Sequence, residues 1–351
     1  MPKSTCLPEP LSPGLELTAL APMQDVTDLQ FMNVIAEYGS PDYFFTEYFR
    51  VHASSGLDKN ILRSITENTT GRPIFAQIIG ESIPDLVRIA QELSFYPIAG
   101  IDLNMGCPAP RIYRKNVGGG LLRDPEKINR ILGELRSSID GVLSVKMRIG
   151  FENTDLFDRI LDYINLYDIS LLSLHGRTVK QGYHGAVDYD TIAHAVQRVN
   201  CPVLANGNVT SAYSAAKVLS STGAAGVMIG RSAIRNPWIF QQIRQHLSGE
   251  RICVVTLGLV RDYIEKLRRT TSGGTVPERA RVNQMKMYLN FIGLSVERTG
   301  TFLSQMRQSK TETELFGVCD RYLLADPDRE FSIEPYPGLV ARPSCEKEKS
   351  D

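Results

Sequence analysis

"GIDLNMGCPAPRIYRKNVGGGLLRDPEKINRILGELRSSI", residues 100–139, is one complete repeat of the architecture. It opens on GIDLN (100–104), a short apolar, β-branched run of the kind that forms a parallel strand buried on both faces. It closes on PEKINRILGELRSSI (125–139), whose apolar residues recur with the period of an amphipathic helix. Between them lies a loop with Cys107 next to Pro108, followed by Arg111, Arg114 and Lys115 and then three glycines, 118–120.

Working outward, the strand-like run recurs seven more times: LTALAP (17–22), YFFTEY (43–48), IFAQI (74–78), VLSVKMR (142–148), SLLSLHGR (170–177), PVLANG (202–207) and GVMIGR (226–231). The gaps hold one helix each; IPDLVRIAQEL (83–93) and SAYSAAKVLSST (211–222) show the period plainly. Eight strands alternating with helices predict an α/β fold, a (β/α)8 TIM barrel over residues 15–248. Beyond NPWIF (236–240) the strands stop. Residues 254–269, 278–296 and 313–323 read as helices, so 249–325 is expected to be a small C-terminal helical domain, with 270–277 a loop inside it. Residues 1–14 read as a disordered leader and 326–351 as a flexible acidic tail.

The 351 residues are 42% hydrophobic and 22% charged, as in soluble globular chains. No apolar run approaches the ~20 residues of a membrane helix, and the N-terminus lacks the apolar length of a signal peptide. The six cysteines are scattered, without CxxC or zinc spacing, which argues against a structural metal and a disulfide framework and for reducing cytoplasm. Net charge is zero, but unevenly spread: residues 249–325 carry 12 basic and 8 acidic side chains, and 326–351 carry 4 and 7.

Each strand-like run ends in residues foreign to an apolar core, and in a barrel these ends meet on the face that carries the active site. Asn206, Gly207, Gly230 and Arg231, at the ends of the last two runs, predict a phosphate site. Met23 and Gln77 suit the edge of a flavin ring, and Lys146 its electron-rich pyrimidine side, unless Lys146 is an ordinary barrel ion pair with Asp102 or Glu47. His175 is a candidate hydrogen-bonding partner for cofactor or substrate. Cys107 reads as a proton donor in preference to a nucleophile. Arg111, Arg114 and Lys115 are expected either to acidify its thiol or to meet substrate phosphates, and the triple glycine to let the loop close over a large substrate.

The motifs LAPMQDVTD, QIIG, DLNMGCP, GGGLLRDP, VKMRIG, LHGRTVKQGYHG, ANGNV and VMIGR, in this order, resemble those of the tRNA-dihydrouridine synthases over roughly residues 15 to 320. The resemblance implies an FMN-binding barrel and a helical domain that grips tRNA. NADPH would reduce the FMN, hydride would pass to C6 of a uridine, and a cysteine would protonate C5 from the opposite face. Carried onto this chain, Cys107 matches the general acid, Asn104 the residue that holds the uracil edge, and Arg177 a substrate contact. Pro22, Met23, Gln77, Lys146, His175, Asn206, Gly207, Gly230 and Arg231 match FMN positions. The chain departs from the pattern at Gln24 and Asp25, where many members carry a small residue. Arg261, Lys266, Arg268, Arg269, Arg279, Arg281 and Lys286 are the candidate phosphate contacts of the helical domain, Arg268 and Arg269 foremost. A monomer without metal or membrane attachment is expected. The alternative is an FMN barrel that reduces a small enone or a dihydroorotate-like substrate; the basic helical domain and the basic cysteine loop speak against it, because a small substrate needs neither.

Overall fold

The computed structural model describes residues 6–10, 14–271 and 276–342. All eight expected strands form: β1 (Leu17–Leu20), β2 (Tyr43–Phe45), β4 (Ile74–Ile79), β5 (Gly100–Met105), β6 (Leu143–Arg148), β7 (Leu171–His175), β8 (Val203–Asn206) and β9 (Gly226–Ile229). A two-residue β3 (Phe49–Arg50) also pairs with β4. Every pairing in this sheet is parallel, and the β1–β9 and β2–β4 contacts close the ring into a (β/α)8 barrel. The expected strand 43–48 stops at Phe45, and the break frees Glu47 to turn toward the loop after β1.

The inner face changes character along each strand, two residues at a time, because strand side chains alternate between faces. Tyr43, Phe45, Phe75, Val142, Leu171, Leu204 and Met228 form an apolar floor, with the Phe45 and Phe75 rings stacked at 4.7 Å. Two and four residues further on, the same faces carry Gln77, Ser144, Lys146, Ser173, His175 and Asn206. The floor excludes water from below, and the polar residues end up at the mouth.

The helices follow from local signals. Asp124 caps Pro125–Ser138 by accepting from Lys127 N at 3.0 Å, and Asp188 caps Tyr189–Arg198 through Thr191 N at 2.8 Å.

Two compact units emerge. One holds the residues up to Met32, Pro41–Val209 and Ala215–Gly230; the other holds Asn33–Ser40, Thr210–Ser214 and everything from Arg231. The boundary at Gly230 precedes the expected residue 248. The reason lies in the packing of the second unit: Trp238 meets Tyr38 edge-on at 4.7 Å, Tyr38 meets Tyr263 at 5.3 Å, and Arg244 donates to the carbonyls of Gly39 and Ser40 at 2.8 and 2.9 Å. This unit contains Leu257–Thr271, Glu278–Ile292, Thr301–Gln308 and Glu312–Leu323. The eight-residue Thr301–Gln308, entered through Gly300 at φ +76°, is a helix too short for the sequence period to reveal.

Two expectations of disorder change. From Asp326 to residue 342 the tail is held in place: Thr256 and Glu330 form an antiparallel bridge, Leu257 N donates to Arg329 O at 2.9 Å, and Phe331 is buried. Arg235, buried in the same unit, donates to Ser295 Oγ at 2.7 Å and Ser332 O at 3.2 Å. The tail's charge hides its pairing capacity, since backbone carbonyls bind a buried cation whatever side chains flank them. In the leader, Leu7 packs against the barrel floor and Tyr43 Oη donates to Pro8 O. Residues 1–5 and 11–13 of the leader, 272–275 of the 270–277 loop and the tail beyond 342 lie outside the described residues.

Candidate active site

At the mouth, four residues on three adjacent strands are joined in one chain of hydrogen bonds. Ser144 Oγ donates to Asp102 Oδ1 at 2.7 Å and Gln77 Nε2 to Asp102 Oδ2 at 2.7 Å. Asn104 Nδ2 donates to Gln77 Oε1 at 2.8 Å. Asn104 Oδ1 then accepts from the backbone N–H of Gly106 at 3.1 Å and of Cys107 at 3.0 Å. Burial pushes the Asp102 carboxyl up to about 6, against the pull of its two hydrogen bonds and the nearby Lys146 charge.

Lys146 forms no ion pair with Asp102 or Glu47. Its Nζ lies 3.4 Å from Asn206 Oδ1, and Asn206 is held by donating to Met228 O at 2.7 Å. Burial, then repulsion from Arg148, brings the ammonium down to about 8, while Asp102 and Cys107 act the other way. An ammonium has three donors, so Lys146 keeps hydrogens for an incoming anion.

Cys107 sits at the start of the loop with its side chain among Tyr48, Ile79, Ile112 and Val117. Burial holds its thiol above the ordinary value, and the Ala109 backbone N–H, Lys146, Arg148 and Arg111 offset this only in part. The expectation of an acidified thiol is thereby corrected: Arg111 is a minor influence, and Arg114 and Lys115 lie exposed on the loop surface. A thiol that keeps its proton is what a general acid requires.

The triple glycine is corrected as well. Gly118–Arg123 is a 3-10 turn with all three glycines buried. A Cβ on Gly119 would stand 2.9 Å from Cys107 O and 2.6 Å from Val179 Cγ2, and one on Gly120 only 2.5 Å from Tyr113 O. These glycines permit close packing behind Cys107; they do not confer mobility.

Arg148 is buried and was missed as a structural brace. Its Nε donates to Gly106 O at 3.0 Å and its Nη1 to Thr178 O and Gly182 O at 2.9 and 2.7 Å, tying the Cys107 loop to the loop after β7. Its place at a strand end was the only sequence signal. Arg177, expected to touch substrate, is 1% exposed and directs Nε and Nη2 to Gly185 O at 3.1 and 2.7 Å, while its Nη1 lies 3.4 Å from His175 Nε2. Together the two arginines hold a bend that presents the exposed Tyr183.

The loop after β1 is held by Glu47, which accepts from Val26 N at 3.0 Å and Gln24 Nε2 at 2.8 Å. Met23 N donates to Thr27 Oγ1 at 2.8 Å, Pro22 adjoins it half-buried, and Met23 Sδ occupies the space beside Gly230, 3.2 Å from where a Cβ would stand. Gly207, at φ +124°, admits no L side chain: its Cβ would stand 2.9 Å from His175 Cδ2. Pro22, Met23, Gln77, Asn104, Cys107, Lys146, His175, Asn206, Gly207 and Gly230 therefore belong to the barrel unit. Arg231 opens the second unit.

In that unit the basic candidates are largely engaged. Arg268 pairs with Glu265 and Glu312 at 3.6 and 3.7 Å and lies 4.6 Å over the Phe316 ring; Arg269 pairs with Glu265 at 3.0 Å. Arg261, Lys266 and Arg281 have carboxylate partners, Lys286 donates to the carbonyls of Arg307 and Ser309, and Arg279 is exposed.

A barrel whose mouth gathers an amide pair, a half-buried cation and a thiol raised by burial belongs to the barrel enzymes that bind their reactants at the C-terminal ends of the strands. Residues 19–314 match the profile of the dihydrouridine synthase (Dus) family, and the chain belongs to that family. It is 32% identical, over 66% of its length and 72% of the relative's, to a probable tRNA-dihydrouridine synthase of Rhodobacter capsulatus. It is 29% identical to a tRNA-dihydrouridine(16) synthase of Ralstonia nicotianae, over 87% and 95% of the two chains. With tRNA-dihydrouridine synthase B of Pseudomonas putida it shares 34% identity over 66% and 69%.

Proposed function

We propose that this protein reduces uridine in tRNA to 5,6-dihydrouridine, with FMN as its bound cofactor and NADPH as reductant. The observation that carries the reading is the placement of Cys107, its backbone N–H fixed to Asn104 at 3.0 Å at a mouth whose half-buried cation, Lys146, has no carboxylate partner among the described residues; burial, which raises the thiol, agrees with a proton-donor role. The donor set suits FMN: Lys146, with hydrogens beyond its contact to Asn206, for the pyrimidine side, Gln77 and the Met23 backbone for the ring edge, and His175, Asn206, Gly207 and Gly230 along the last strand ends. Arg231 is retained as a phosphate contact by its position directly after Gly230. Bound there, the flavin supplies hydride for C6 of the uracil ring.

The protein's own part is to orient the base and deliver the proton. Asn104 commits one Nδ2 hydrogen to Gln77 and keeps the other for the uracil edge. The Cys107 S–H bond breaks as its proton joins C5. The thiolate left behind is eased by Lys146, Arg148 and Arg111, the charges that already bear on it, and regains a proton from solvent. The uridine must leave its stack to be reached, at a cost of a few kcal/mol. Phosphate contacts from Arg111, Arg114, Lys115, Arg268 and Arg269 would offset that cost. Arg268 and Arg269 would have to give up contacts to the partly covered Glu265 and Glu312 to reach phosphate.

The test is incubation of the purified protein with unmodified tRNA and NADPH, followed by mass spectrometry of the nucleosides. A gain of two hydrogens on uridine is expected. A yellow protein that oxidises NADPH yet leaves every uridine unchanged would refute the reading.

A further inference from the structure

Asp102 is fully buried beneath the residues that face the mouth. Both of its oxygens are engaged, Oδ1 by Ser144 and Oδ2 by Gln77. An ionised carboxylate only accepts hydrogen bonds, so the Gln77 amide must turn its NH2 toward Asp102 and its oxygen toward Asn104. Asn104 must then give its NH2 to Gln77 and its oxygen to the Gly106 and Cys107 N–H groups. A side-chain amide has nearly the same shape after a half-turn, and packing alone does not choose between its two orientations. Reversing either amide would set N–H against N–H. The direction of the chain is therefore fixed from both ends: the Gly106 and Cys107 N–H groups can only donate, and Asp102 supplies the acceptor that completes it at the buried end.

We propose that Asp102 is the positioning residue of this centre: by accepting from Gln77 it anchors the Gln77–Asn104 amide pair at its buried end, and through Asn104 it holds the backbone of Cys107. The inference deepens the reading above, and only its kinetic arm depends on that reading.

The experiment compares wild type, Asp102→Asn and Asp102→Leu, each as the full chain. One readout is the rate at which iodoacetamide alkylates Cys107, followed on its own peptide so that the other thiols do not count. The second is uridine reduction. Leu removes the acceptor. Alkylation should quicken about fivefold, the equilibrium factor of one lost hydrogen bond. Uridine reduction should fall about 10²-fold, the scale of a misplacement near 1 Å. Asn keeps an oxygen for Gln77 and donates to Ser144, whose hydroxyl can turn to accept, so it should stay within about threefold of wild type on both readouts. If the Leu variant does not fold, Asp102→Asn combined with Ser144→Ala decides. With Ser144 no longer able to accept its NH2, the amide introduced at position 102 leaves a buried donor unsatisfied and loosens its hold on Gln77, so the double variant should alkylate faster than either single variant. Wild-type alkylation in the Leu variant, an Asn variant as loose as Leu, or a double variant no faster than the singles would each overturn the proposal. A wild-type protein inactive on uridine but showing the expected alkylation series would sink the functional reading and leave Asp102's role standing.

Discussion

At the barrel mouth, Arg148 spends its guanidinium on the carbonyls of Gly106, Thr178 and Gly182; in the second unit, Arg268 and Arg269 share the carboxylates of Glu265 and Glu312 at the surface. Both regions are rich in polar residues, yet they hold them differently. The Arg148 guanidinium is buried and tied to backbone, which has no alternative partner, so its geometry is set before any ligand arrives. The surface arginines are paired with side chains that water or phosphate can replace. The difference separates a region built for placement from one built for exchangeable charge.

The largest way to break this contrast is at the thiol. Cys107→Ala should leave flavin binding and NADPH oxidation intact and slow uridine reduction ~10²–10⁴-fold, the usual contribution of a general acid. Single-turnover measurements check it, and a variant as fast as wild type would remove Cys107 from the proton step. Next is the packing behind it. Gly120→Ala puts a Cβ 2.5 Å from the Tyr113 carbonyl oxygen, a backbone atom with little room to move. It should cost about 1–3 kcal/mol, as overpacking does, and lower the melting temperature. An unchanged melt would restore the flexible-loop interpretation.

On the surface the expected effect is in binding. Arg268→Glu with Arg269→Glu should leave the melting temperature nearly unchanged and weaken tRNA binding. The slope of log affinity against log salt should shrink by about one for each phosphate that is no longer neutralised. An unaltered slope would detach these residues from the RNA. The smallest effect is a pH dependence. Burial holds Glu47 up to about 7 against 4.5 for the free side chain. Below the lower value both states are protonated. Between the two, the folded chain keeps a proton that the unfolded chain releases, so stability declines as pH rises, and the loss is complete above about 7. Glu47→Gln cannot ionise, and its amide can donate to Gln24 Oε1, a buried atom that has no partner beside Glu47. Its melting temperature relative to wild type should therefore rise between mildly acidic and mildly alkaline pH; a constant difference would place the ionisation elsewhere.

Much of this was legible in the residues. The eight strand runs, each followed by room for a helix, were enough for the barrel, because alternation along a strand is a local property. Position did not reveal use. Arg177 and Arg148 stand at adjoining strand ends; the first read as a substrate contact and the second carried no assigned role, yet both donate to loop carbonyls. The glycines at 118–120 read as slack because sequence does not show what lies behind a missing Cβ. The acidic segment after 325 read as a tail because its anchors are backbone groups.

From its sequence alone this chain determined the eight-fold alternation, the polar rim and the presence of a cysteine among prolines and basic residues, all of which depend on neighbours within a few positions. Only the tertiary structure decided that burial raises the Cys107 thiol, that the triple glycine is packed solid and that a buried carboxylate ends the chain of amides beside Cys107. Those outcomes depend on burial and on hydrogen-bond direction, which arise when strands distant in the chain are brought within 3 Å of one another.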